Sequence, residues 1–222
     1  MWFIRGWAAG HPPGNPGDNI PDMETGRVMS YKQKAFSSDD LKGQTFTQET
    51  FRNCIFSRVE FRFTIFEDCR FESCDFTGSI FEVVNFSQCR FPESKLSFLD
   101  FGPVQIQACD FSGAILQECV FQEYKPGSTT ERKIFDLRSC DFSQIDGTRT
   151  AFVQCDLREV SFRHAVLEQA TFERCRLQEA RFTEANLVGT KFENCQIAKT
   201  QLDGNGFLQL GMNAGFVVGE DV

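Results

Sequence analysis

The 222-residue chain has little of what most chemistries require. No run approaches the roughly 18 consecutive apolar residues of a membrane-spanning helix, so none is expected. The opening MWFIRGWAAGHPPGNPGDNIPDMETGRVMS lacks the apolar core of a secretory signal, and a cytoplasmic location is expected. Rich in Gly and Pro, residues 1–30 read as a flexible extension, either appended or lying ahead of a natural start at Met23 or Met29. Positive charge is scarce too: 23 Lys and Arg stand against 31 Asp and Glu, for a formal charge of −8. That excess argues against direct nucleic-acid binding, which needs a basic patch. Of two histidines, His11 lies in the extension, and His164, beside Arg163, reads as a solvated surface residue. There is no CxxC pair of zinc-ligand spacing, no GxSxG elbow and no phosphate-cradling glycine loop. No catalytic residue, metal or cofactor is assigned, and the chain is not expected to be an enzyme.

Phenylalanine and cysteine are what the chain has in excess: 26 and ten copies, against two Trp and two Tyr. From Phe36 to Phe121 every fifth residue is Phe, Leu or Ile, and 14 of these 18 are Phe. The series breaks near Pro126 and resumes one residue out of phase from Leu137 to Phe207, failing only at Gly147. With this large residue as position i, all ten cysteines fall at i−2, interspersed with Val, Ala, Ser and Thr.

Neither regular element buries such a pattern. On an α-helix, five residues turn about 500°, leaving successive side chains about 140° apart. On a straight strand an odd spacing sends alternate residues to opposite faces. A chain that turns a corner every five residues buries them all. Four corners close a square coil of 20 residues, and coils stacked at ~4.8 Å pair their backbones, each repeat burying its face only against its neighbours. The small i−2 residue shares the interior, and the other three face water. The thiols then stack in columns such as Cys69, Cys89 and Cys109, a geometry that by itself permits disulfides. Without a secretion signal they read as buried small hydrophobes.

Three departures are candidate functional features. Segment 122–135, QEYKPGSTTERKIF, leaves the wall and rejoins it as a projecting loop. The tail from Phe207, FLQLGMNAGFVVGEDV, departs from the repeat yet keeps Phe207, Leu208, Leu210, Met212, Phe216, Val217 and Val218. An open coil end needs a cap, and these seven apolar residues exceed one cap's need, which points to a twofold dimer. Gly211 and Gly215 disfavour a helix there. Finally, residues 36–121 carry 13 acids against seven bases, whereas 137–207 carry ten against nine. Outward position i+2 holds an apolar stripe, Phe63, Val83 and Pro103.

CDFTG, CDFSG and ANLVG resemble the A(D/N)LxX unit of pentapeptide-repeat proteins over residues 36–207. The resemblance implies an all-β fold, a right-handed quadrilateral parallel β-helix over 31–207 with a capping and dimerisation tail at 208–222. The size, the loop and the tail are similar to the Qnr-type quinolone-resistance proteins. That resemblance implies a DNA-mimicking homodimer that binds DNA gyrase or topoisomerase IV and protects it from quinolones. Its partner-binding loop would be Glu123, Tyr124, Lys125, Thr129, Thr130, Glu131, Arg132, Lys133, Ile134 and Phe135. A general protein-interaction scaffold without a topoisomerase partner is the alternative.

Overall fold

The computed structural model describes residues 29–123 and 134–219, a right-handed parallel β-helix of about eight turns. Its strands are short, mostly three residues, because a corner follows every one. Most corners are a single residue at i+2 with φ of about +50 to +71°, from Gln33 to Lys199, the described exceptions including Ser38, Pro103 and Ser139. One left-handed residue redirects the chain by the angle a four-sided coil needs. An aspartate at i−1 supports many corners: Asp75, Asp110 and Asp141 each accept the amide of the residue two further on, at 2.8–2.9 Å.

Strands stack in parallel at a register of 20, as in Phe46↔Phe66↔Phe86, and across the insertion at 31, as in Phe121↔Phe152. That register lays each phenyl ring on the next. Rings 51, 71, 91, 111, 142, 162 and 182 form one continuous stack with centroids 4.8–5.4 Å apart. Rings on adjacent walls meet edge to face, for example Phe66 and Phe71 at 5.2 Å and 77°, as do rings on opposite walls such as Phe172 and Phe182 at 5.5 Å and 89°. Both arrangements suit the ring quadrupole.

The i−2 residues fill the space between stacks and add a bond. Thr64, Ser94 and Thr190 hydroxyls, and thiols such as Cys69 and Cys155, donate to the carbonyl of the i residue in the coil below. Side chains that are small and able to donate therefore recur at i−2. All ten cysteines are free and all but Cys195 buried; burial pushes the Cys119 thiol up to about 12. Gly147 is buried where a Cβ would come within 3.1 Å of both Ile145 and Leu167, which already occupy its share of the core.

The ends differ from the sequence expectation. Pairing begins at Ser30, and Tyr31 is the first inward residue, stacked on Phe51 at 4.9 Å. A one-turn helix α1 (Ser38–Leu41) stands in for one side of the first coil; the column closes at Gln201, whose last bridge is to Arg181, and helix α2 (Gly204–Asn213) follows. Phe207 is therefore a helical residue, 65% exposed, and not the last inward position; Ile197 is 62% exposed because no coil lies above it. The expected insertion also shortens: Gln122 is still in strand Val120–Gln122, and Phe135 already belongs to Phe135–Asp136. Of the expected extension, 1–28 lie outside the described residues, as do 124–133 and 220–222.

Candidate partner-binding surfaces

The insertion interrupts one wall only. On the other three, pairing crosses it: Asp110 bridges Asp141, Ile115 bridges Asp146, and Val120–Gln122 pairs with Ala151–Val153. On the fourth, Val104–Gln107 ends one sheet and Phe135–Asp136 ends another, with no backbone hydrogen bond between them among the described residues. At the next corner Ala108 N–H donates to Ser139 Oγ at 2.9 Å, and Asp141 N–H to the Cys109 carbonyl resumes the backbone pairing. A groove of about 540 Å3 lies between the two strand edges, lined by Val83, Pro103, Val104, Ile106, Ile134 and Phe135.

The expected loop contacts separate accordingly. Tyr124, Lys125, Thr129, Thr130, Glu131, Arg132 and Lys133 lie outside the described residues. Ile134 is half-buried at the groove, and Glu123 borders it. Phe135 is buried in the column, its strand paired with Cys155–Asp156, so its ring anchors the base of the insertion instead of offering a contact. Of the outward stripe, Phe63 and Val83 are more than half exposed, and Val83 and Pro103 reach the groove rim.

At the C-terminal end, Asp203 caps α2: its carboxylate accepts the amides of Gly206 and Glu184, and these bonds hold its pKa below the usual carboxylate range. Gln209 and Asn213 bond the backbone of residues 187–190, and Leu202 and Leu210 pack on the core. Leu210 thus faces the column. Phe207, Leu208, Met212, Phe216, Val217 and Val218 stay exposed. Beside them is a cavity of about 700 Å3 lined by Phe192, Ile197, Leu202, Phe207 and Leu210. Gly211 sits inside the helix despite its low propensity, and Gly215, at φ +92°, follows its end.

The walls carry ion pairs that run along the column, such as Arg52–Glu72 at 2.6 Å, Arg62–Glu82 at 3.0 Å and Lys199–Glu179 at 3.6 Å. Burial works to raise the Asp156 carboxyl, but Arg158 at 2.7 Å, backed by Arg138 and Arg176, holds it below its ordinary value. In the first half Glu67 and Asp68 stay exposed with no ion pair among the described residues. His164 Nδ1 lies 3.0 Å from Glu184 on the surface. No group of three or more His, Cys, Asp or Glu among the described residues is placed to hold a metal, and no described helix is long and apolar enough to cross a membrane.

Comparison with known proteins matches the repeat itself: the pentapeptide repeat region over 135–202, and pentapeptide repeats, in eight copies, over 40–72 and 69–102. The chain belongs to the pentapeptide-repeat proteins. No curated protein matches it across its sequence. Among solved structures, this pentapeptide-repeat chain is similar to full-length QnrB1, a plasmid-mediated fluoroquinolone resistance protein. The likeness has 17% identity and a TM-score of 0.51, covering 85% of this chain and 98% of that one. A trypsin-treated variant of QnrB1 gives 19% identity and a TM-score of 0.55, covering 87% and 100%. At such identities the likeness is one of fold.

Proposed function

We propose that this pentapeptide-repeat protein binds DNA gyrase or topoisomerase IV in place of duplex DNA and protects the enzyme from quinolones. What carries the reading is the fold shared with QnrB1 over nearly its whole length, together with an acidic column interrupted on one wall. Duplex DNA presents one charge per about 1.7 Å of axis. A column of about eight turns at ~4.8 Å spans about 40 Å, and its first half carries most of the net negative charge. The loop at 124–133 would meet the enzyme first, and α2 would pair two copies through Phe207, Leu208 and Met212. The compartment that fits such a partner is the cytoplasm.

A gyrase supercoiling assay containing ciprofloxacin tests this. Added protein should restore supercoiling, and deletion of 124–133 should abolish the rescue. No rescue by the intact protein would leave a general interaction scaffold, the reading favoured by the exposed apolar Phe63, Ile80 and Val83 on one side of the column. The dimer is checked separately by light scattering. Met212→Asp should halve the mass, and an unchanged mass removes the pairing of copies.

A further inference from the structure

The groove in the broken wall is lined mainly by apolar side chains, with Gln105, Glu123 and Asp136 beside them, and is bordered by two strand edges. We infer that it seats an aromatic side chain from the segment WFIRGW, residues 2–7 of the same chain. That segment lies outside the described residues, yet its position in the chain and its composition suit the groove. Both tryptophans of the protein, Trp2 and Trp7, are in it, beside Phe3 and Ile4. A buried aromatic side chain contributes 150–250 Å2 of contact, and Trp is among the commonest anchors of well-packed pockets.

Chain length sets the reach. Met29 accepts the Thr50 amide, so the described chain begins at the foot of the wall that continues through residues 50, 70, 90 and 110. This wall adjoins the broken one. Four coil steps of ~4.8 Å put the groove about 19 Å above that point, across the width of the broken wall. Twenty-one residues separate Trp7 from Met29. An unstructured chain of that length has an r.m.s. span of about 25 Å. A tether whose span matches the distance gives an effective concentration near millimolar, enough for a modest apolar contact to be occupied.

Tryptophan fluorescence reads the segment alone, because no other Trp is present. The intact protein should emit to the blue of its urea-unfolded state and resist acrylamide quenching, independently of protein concentration. Val83→Arg combined with Ile134→Arg should return the emission to the unfolded position while leaving the urea midpoint of the column near that of the wild type. Trp2→Phe and Trp7→Phe identify the ring that docks. Emission of the folded wild type at the unfolded position overturns the inference; the groove is then left to residues 124–133 or a partner's segment. A blue shift that survives the double substitution, or disappears on dilution, overturns it equally, by placing the rings elsewhere or in a second copy.

Discussion

Among the described residues 24 non-glycine residues hold a positive φ, and every one is at i+2. For an L-residue this conformation costs about 1–2 kcal/mol, so each corner is a local loss that the core must offset. Among the described residues of the column, Gly43, Gly78, Gly113 and Gly189 relieve it. At Gly78 an added Cβ meets nothing within 4 Å. Gly78→Val should therefore lower stability by about 1–2 kcal/mol from the backbone alone, read from the urea midpoint. An unchanged midpoint would mean the corners are not strained. The same assay separates inward from outward phenylalanine. Phe111, fully buried between Phe91 and Phe142, should cost about 3–5 kcal/mol on replacement by Ala. Phe63→Ala, at an exposed corner, should stay within about 0.5 kcal/mol. Equal losses would contradict the stacked interior.

Helix α2 is the one element that the period of five does not describe. It is held by its cap, by Gln209 and Asn213, and by Leu202 and Leu210 against the last coil. Because the folded Asp203 carboxyl titrates below its ordinary value, its contribution is present at neutral pH and is lost as pH falls through and below about 4. Hydrogen exchange should show the Gly204–Asn213 amides losing protection below that pH before the column does. Asp203→Ala should reproduce the loss at pH 7. Full protection in that variant would show that the cap does not hold the helix. Gly211 speaks against a helix by propensity, but burial of Leu202 and Leu210 on an otherwise open coil end outweighs it, while Gly215 lies past the end, where its positive φ suits a helix stop.

Across the whole molecule, regularity makes the exceptions informative. Three walls pass the insertion intact and the fourth does not. The apolar groove, the insertion and the outward residues Val83 and Pro103 consequently lie together. Loss of quinolone rescue on deleting 124–133, with an unaltered urea midpoint, is the expected signature of a contact surface as opposed to a structural strut.

The spacing of large residues alone determined the square coil, the 20-residue register and the inward place of every cysteine, because no helix or straight strand buries a period of five. It also marked the position of the insertion and the tail. Tertiary structure decided what depends on contacts between distant residues. Gly147 breaks the period only on paper, since Ile145 and Leu167 fill its volume. Phe135 looks like a loop contact in sequence but is buried through its pairing with Cys155. Phe207 keeps the period yet leaves the core, since a column with no further coil above it gives a ring nothing to stack on, and the chain turns into a helix instead.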